Sequence, residues 1–583
     1  MARKLLLLAY ILSYLIFPAL VLELPGGQLA NIPLRLAVFC ILALGGAVLF
    51  TRAWPKLGLG TGLVFTALGY GTIYKLASFI PDISTYPFSL AWSEASRYYY
   101  ASLWLSKQAY GFFIPPSVLH PSRYLLQSIP LLIPNSPLWL SRSWQVALWL
   151  ITSALTSWLL VRRLSLASHK RPLVISLSFS FWAFLFLFQG PVYYHLLVMV
   201  IAVLWGFNRT RFWRSLVIVL FASLWAGISR VNWLPMPGFL AATLYLMEEK
   251  IEGKTLWRYL VPPGLWVLAG TGAAYASQLA YQLWSGNPSA WFGSSFTSDL
   301  LWYRLLPNPT FPMGILPSAV LVSLPLAFLI LLRLSGRLRA YHPIRWLGLA
   351  AILVVLFAGG VVVSVKIGGG SNLHNLDGYL VMLMVVGSYV YFGRFQPDHS
   401  TQVSEPGVPP ASKSLYSFAE SLLLTATLAL PLYFTLSAGN ALPHRDALAA
   451  QADLKVINAA AQQVTRQGGA VLFISQRQLL TFNQIPDVPL VPDYELVFLM
   501  EMAMSDNPAY MDAFRADISS QRFALIVSEP LVIQYQGRNH AFGEENDAWV
   551  ERVSTPVLCY YEPRTKLEAA GVVLYFPRPT PCQ

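Results

Sequence analysis

The chain has 583 residues, 56% of them hydrophobic and only 11% charged, with a mean hydropathy of +0.53, whereas a soluble chain carries about 25% charged residues. That balance excludes a water-soluble monomer. The net charge of +13 would suggest nucleic acid in a soluble protein, but most Lys and Arg here sit in short segments between apolar runs, where they orient a membrane protein, so no nucleic acid partner is expected.

The apolar runs approach the roughly twenty residues that a helix needs to cross a hydrocarbon core of about 30 Å. The first follows Met-Ala-Arg-Lys and covers Leu5 to Leu22. It has the positive start of a signal peptide but no clear small-residue cleavage site, and further spans follow at once, so it reads as an uncleaved first helix. Thirteen transmembrane helices are expected, over 5–23, 33–51, 58–79, 138–161, 172–189, 192–207, 212–229, 234–248, 259–282, 314–334, 345–365, 376–393 and 415–436. With the amino terminus in the cytoplasm, alternation places about twenty basic residues inside, among them Arg162, Arg163, Arg333 and Arg337, against roughly nine outside, in line with the positive-inside rule. The organisation expected is a transmembrane module over 1–394, a Pro- and Ser-rich cytoplasmic linker over 395–414, a last span over 415–436 and an extracytoplasmic domain over 437–583. The fold class is an α-helical polytopic membrane protein with a small C-terminal α/β domain, facing a cell membrane on its apolar surface.

Between the third and fourth spans, the outer segment 80–137 carries Asp82 and Glu94, the latter followed by Arg97, Tyr98, Tyr99 and Tyr100. From Ser93, a candidate N-cap, the spacing predicts a helix lying along the interface with its aromatic side chains at headgroup depth. An acid opening such a helix is often only a partner of the helix dipole. The stretch Glu94-Ala95-Ser96-Arg97-Tyr98, in the first large outer loop of a many-spanning chain, resembles the GT-C superfamily of membrane glycosyltransferases, which includes the aminoarabinose and protein O-mannosyl transferases. The resemblance extends to the basic-inside layout and the C-terminal outer domain. It implies transfer of a sugar from a polyprenyl-phosphate donor, with inversion, to a lipid, glycan or protein acceptor outside. Glu94 would be the first choice of base and Asp82 the second, with Arg97 and Tyr98 against substrate. Some relatives use a divalent metal, but Ala95 stands where they often carry a second acid, leaving Asp82 as the only other acid near Glu94. Asp82 can equally position the base or cap the turn at Pro81.

Further along, Arg142, one turn into the fourth span, is placed to meet headgroups or phosphate. The turn holding His195 offers a substrate-orienting group or alternative base, and those holding Arg230, Asn232 and Arg304 offer phosphate clamps. Interfacial anchoring is the plain alternative for each. At the outer end of the eleventh span, Lys366, Gly368, Gly369, Gly370, Asn372, His374, Asn375 and Asp377 gather in one turn. Glycines expose N–H donors to a ligand, Lys366 suits phosphate, and the polar side chains suit sugar hydroxyls; the alternative is a tight turn in which Lys366 snorkels to the surface.

In the tail, a helix over Asp446–Arg466 leads through Gly468-Gly469 to a strand at 470–475; a second strand falls at 523–528, with helix between Tyr494 and Ser519. The loop Ser475–Gln478 is placed to bind an acceptor, and the acidic run Glu544–Asp547 reads as solvated surface. Cys559 and Cys582 can pair if the tail faces an oxidising compartment and are otherwise free thiols. Two other functions fit less well. A transporter or flippase for a lipid-linked substrate predicts charges at mid-membrane and broken helices in matching halves, and a non-catalytic assembly subunit predicts Glu94 and Lys366 far apart.

Overall fold

The structure is a computed structural model and describes residues 2–23, 29–168, 171–335, 337–369, 373–398, 410–439 and 442–582. Helices α1 (Ala2–Glu23), α2 (Ile32–Ala53) and α3 (Leu59–Ala77) are followed by three helices of the outer segment, α4 (Glu94–Leu103), α5 (Ser106–Tyr110) and α6 (Pro121–Gln127). The bundle continues with α7 (Leu138–Leu164), α8 (Pro172–Gln189), α9 (Tyr194–Gly206), α10 (Phe212–Gly227), α11 (Met236–Glu248) and α12 (Leu256–Ser285). After the short α13 (Ser294–Thr297) come α14 (Ile315–Leu334), α15 (Pro343–Ser364), α16 (Asp377–Tyr391) and α17 (Pro410–Ser437).

Each of the thirteen expected spans coincides with a helix, but among the described residues only eight helices are long and apolar enough to cross a membrane: α1, α2, α3, α7, α8, α14, α15 and α17. The expected number is thus not established by length. Four of the others have 13 to 16 residues (α9, α10, α11 and α16), and α12, at 30 residues, carries Pro262 and Pro263 within it. For two of them the physical reason lies in burial. Helices α11 and α16 are enclosed along nearly their whole length, and a helix apolar all round because protein surrounds it looks in sequence like one surrounded by lipid. Of the expected linker, 399–409 lie outside the described residues. Asp398 is buried and paired with Arg345 at 2.9 Å, so the main bundle ends in a fastened segment.

The tail folds as α18 (Ala447–Arg466), β1 (Ala470–Phe473), α19 (Gln478–Thr481), α20 (Leu496–Met504), α21 (Pro508–Ser519), β2 (Phe523–Ser528), α22 (Gly543–Trp549), α23 (Thr555–Tyr560), β3 (Tyr561–Leu567) and β4 (Val572–Pro577). Asp446 caps α18 by accepting the Leu448 and Ala449 N–H groups at 2.9 Å. The expected helix between Tyr494 and Ser519 is two helices, because Asn507 caps a new one with Pro508 at its first position. The sheet order is β1-β2-β4-β3, with β1 and β2 parallel and the remaining pairs antiparallel. Val471 and Phe473 face the core beside α18, while Leu472 and Ile474 face the core beside α20 and α21. Both faces of the strand are covered, which is why its sequence is continuously apolar. Cys559 and Cys582 are joined in a disulfide.

The tail is docked on the outer segment. Phe88 is buried in the tail's own core, Tyr86 donates to the Ala569 carbonyl at 2.6 Å, and Tyr99 and Tyr100 bond the Pro492 carbonyl and Glu495. The aromatic side of α4, expected at headgroup depth, therefore lies beneath the tail, where Tyr98, Tyr99 and Tyr100 are all buried.

Candidate functional site

Two cavities open at the end of the bundle where the tail sits. The first, of about 340 Å³, is lined by Lys75 and Phe79 from the end of α3, Asp82, Glu94, Arg97 and Tyr98 from the outer segment, and Arg142, Gln145 and Trp149 from α7. Ser93 makes no side-chain capping bond; the Ala95 N–H instead donates to Ser89 Oγ at 3.1 Å. Glu94 is buried and fully engaged. Its Oε1 and Oε2 accept from Arg142 Nε and Nη2 at 3.0 and 3.1 Å, and they also accept from the Tyr98 hydroxyl at 3.4 Å and the Leu90 N–H. Arg142 in turn donates to the carbonyls of Ser84, Tyr86 and Phe88 at 2.6–2.9 Å. This ion pair fastens the segment that follows Asp82. The expectation that Arg142 meets headgroups is thereby corrected, since its donors are spent inside the fold. Asp82 differs. It is exposed, and among the described residues its carboxylate has no hydrogen bond and no cation within ion-pair distance; Lys75, Arg97 and Arg445 act on it only through longer-range charge.

The second cavity, of about 270 Å³, is lined by His120 from the outer segment, Arg230 and Asn232 after α10, Lys366, Gly368, Gly369, His374 and Asn375 between α15 and α16, and Glu501 from the tail. Arg230 is placed by Asp377, whose Oδ2 lies 3.3 Å from Nη1. Asp377 is itself fixed, its Oδ1 accepting from Trp233 Nε1 at 2.7 Å and from the Gly378 N–H at 2.8 Å. Among the described residues, Arg230 donates only through Nη1, to Asp377 and, at 3.4 Å, to the His374 carbonyl. Lys366 Nζ lies 2.8 Å from the Glu501 carboxylate. Asn232 and Asn375 bond the backbone carbonyls of Asn375 and Gly369, which closes the turn on itself. Asn372 lies outside the described residues. Burial, reinforced by the charge of Arg230, lowers both His120 and His374 to about 3, so both imidazoles are neutral near pH 7 and the cavity's positive charge belongs to Arg230 and Lys366.

Tyr193 stands between the two cavities. Its ring centroid is 5.1 Å from that of Trp149, which lines the first. It is 6.0 Å from the ring of His374 and 5.0 Å from the Arg230 guanidinium, both of which line the second. Arg123, from α6, lies over the same ring at 4.7 Å, and among the described residues its buried Nε has no hydrogen-bond partner. His195 is buried beside His120 at 6.1 Å between ring centroids, with neither ring nitrogen bonded.

Several expected residues are thus brought together, and others are not. Arg230, Asn232, Lys366, His374 and Asn375 share the second cavity, while Asp82, Glu94, Arg97 and Tyr98 share the first. Glu94 and the phosphate candidates do not line one chamber. Arg304 lines neither: it is 0% exposed and bound by Glu545 at 2.7 Å and Glu544 at 3.0 Å. Its expected role as a phosphate clamp is corrected to one of fastening the tail, and the acidic run is not solvated surface. Glu545 also accepts the Gly368 N–H at 2.8 Å. Its burial favours the neutral form, but the hydrogen bond and charge of Arg304 outweigh this and hold its pKa below the ordinary value. The Ser475–Gln478 loop likewise serves docking rather than an acceptor. Arg477 is buried, donates to the Pro492 carbonyl at 2.8 Å and lies over the Tyr99 ring, and Gln476 and Gln478 bond Ser89 and Pro87.

His120, Arg123, Lys75 and Glu501 enter the site without having stood out in sequence, and Tyr193 enters it from the turn before His195, where an interfacial anchor was expected. The usable signal was His120-Pro121-Ser122-Arg123, two ring- or cation-bearing side chains around a helix-starting proline in an outer segment. The carboxylates do not suit a divalent metal. Both Glu94 oxygens are taken by Arg142, which leaves Asp82 alone, and among the described residues no group of three His, Cys, Asp or Glu side chains converges. Compared with known proteins, the sequence matches no family model and no curated protein.

Proposed function

We propose that the chain is a GT-C-like glycosyltransferase of a prokaryotic cytoplasmic membrane, taking sugar from a polyprenyl-phosphate donor and transferring it with inversion to a lipid, glycan or protein acceptor on the outer side. In this reading the bundle crosses thirteen times, the amino terminus is cytoplasmic and the tail is extracytoplasmic, where its disulfide is stable. The observation that carries the reading is Tyr193, which separates an unpaired carboxylate, Asp82, from a cationic cavity holding Arg230 and Lys366.

The carrier phosphate occupies the second cavity, meeting the Arg230 donors that no described residue engages and displacing Glu501 from Lys366. The sugar lies across Tyr193, and the acceptor hydroxyl enters the first cavity. Asp82 takes the hydroxyl proton as the acceptor oxygen forms its bond to the anomeric carbon. The bond from that carbon to the phosphate oxygen breaks, and the cations stabilise the charge left on the departing polyprenyl phosphate. Glu94 positions the loop and does not act as base, because a base needs a free lone pair facing its substrate and both oxygens of Glu94 are engaged.

Purified protein given a labelled polyprenyl-phosphate sugar and an acceptor extract tests this directly. Asp82→Asn should abolish incorporation; transfer at the wild-type rate would remove Asp82 as base. Movement of intact donor across proteoliposomes without any transfer would favour the transporter instead. Reporter fusions at Asp82 and Gly369 should report the same, outer, side.

A further inference from the structure

At the opposite end of the bundle, a cavity of about 600 Å³ lies among α3, α8, α14, α16 and α17, within the range of roughly 300–1,000 Å³ of ligand pockets. Its walls are largely apolar, with Val64, Leu68, Phe179, Trp182 and Leu428 among the lining. Val64 is 37% exposed, so the cavity opens on the flank of the helices, where lipid would lie. At one end it meets a second, more polar recess of about 240 Å³, lined by Arg333, Arg337 and Tyr341. Arg333, Tyr391 and Phe392 belong to both.

The charges there are unequal. Arg333 pairs with Glu420 and lies over the Tyr391 ring at 4.6 Å, yet among the described residues its buried Nε has no hydrogen-bond partner. Arg337 is exposed, and among the described residues no carboxylate lies within ion-pair distance of it. Among the described residues, two guanidiniums facing one carboxylate leave a net positive charge at the mouth of an apolar chamber.

We infer that this is a binding site for an anionic phospholipid of the bilayer, an acyl chain filling the apolar cavity and the phosphate headgroup meeting Arg333 Nε and Arg337. A basic pocket between helices is the chemistry that retains such headgroups, and a guanidinium matches phosphate geometry. The site is separate from the two cavities beside the tail, and it stands whether or not the chain transfers sugar.

The test uses the full chain, purified in mild detergent with added phosphatidylglycerol, phosphatidylcholine or polyprenyl phosphate, with retained lipid counted by native mass spectrometry. Phosphatidylglycerol should be retained in preference to phosphatidylcholine. Arg337→Gln, at an exposed position, should lower that retention roughly 10-fold, the scale of one charge-assisted hydrogen bond. Ser178→Phe, which fills the apolar cavity and leaves both arginines intact, should also lower it. Equal retention of phosphatidylcholine, indifference to Arg337→Gln, or displacement of phosphatidylglycerol by polyprenyl phosphate would each overturn the inference.

Discussion

The two cavities beside the tail hold their charged groups in opposite ways. In the first, the most prominent acid, Glu94, is buried with every lone pair directed at Arg142, the Leu90 N–H or Tyr98, while Asp82 is left exposed and unpaired. In the second, the cations keep capacity in reserve. Among the described residues, Arg230 bonds through one nitrogen only, and Lys366 is held by a single carboxylate that belongs to the tail. The difference shows that availability depends on how many bonds the backbone and fixed counter-ions have already claimed. A buried ion pair that also binds three carbonyls, as Arg142 does, is a fastening; a cation held by one partner from another domain can exchange it.

The sharpest way to break this comparison is to exchange the roles of the two acids. Asp82→Asn should lower transfer by about 10²–10⁴-fold, the usual contribution of a positioned base, with thermal stability in detergent unchanged. Glu94→Gln should act the other way. It removes the charge facing a buried Arg142, for which losses of about 3–5 kcal/mol are typical, so its unfolding temperature should fall. Material that remains folded should retain most of its activity. If Glu94→Gln left stability intact and abolished transfer, the assignment of the two acids would be reversed. The double variant Glu94→Leu/Arg142→Met should recover only part of the loss, because the carbonyls of Ser84, Tyr86 and Phe88 would then lack their donor.

In the cationic cavity, Lys366→Met should raise the apparent KM for the polyprenyl-phosphate donor by roughly 10–100-fold, corresponding to the loss of one charge-assisted hydrogen bond of about 1.5–3 kcal/mol. The neutral histidines supply a pH signature. A histidine whose folded pKa is lowered leaves the unfolded chain binding more protons, so its stabilising contribution is complete above the ordinary value of 6.5 and is lost as pH falls from there toward about 3. Thermal stability should therefore decline below pH 6.5. His120→Asn should flatten that decline, and asparagine tolerates the left-handed backbone at this position, φ 49°.

Much of this was legible in sequence, for identifiable reasons. The helices were visible because spans of apolar side chains have a physical length, and β1, β2 and α18 because their periodicity and capping are local. The outer turns were recognised as concentrations of polar groups, and five of the polar side chains picked there do line one cavity. What remained hidden was pairing. Nothing local to Glu94 reveals that Arg142, forty-eight positions later, consumes it, and nothing near Arg304 announces Glu545. The strand β3, Tyr561–Leu567, was missed because it carries Pro563, Arg564 and Lys566 on exposed positions and lacks a continuous apolar run, whereas β4, Val572–Pro577, is as apolar as β1 and was overlooked despite that signal. Crossing number was the weakest point, since enclosure by protein and enclosure by lipid select the same side chains.

The smallest predicted effect is the most discriminating for the tail. If Glu501 is a counter-ion that phosphate displaces, Glu501→Gln removes a competitor, and the donor's KM should fall. A pair of this kind is worth about 0.2–1 kcal/mol where water still reaches it, so the fall should be a few-fold and should shrink as salt screens the charges. A purely structural Glu501 predicts the opposite sign, because losing it would free Lys366 to swing away and raise KM. The Arg304–Glu545 pair provides the control. It fastens the tail to the neighbouring turn without lining the cavity, so Arg304→Gln should loosen docking and raise KM. Opposite signs from two substitutions that each break ion pairing with the tail, Lys366–Glu501 in one and Arg304 with Glu544 and Glu545 in the other, would separate competition for Lys366 from mere displacement of the tail.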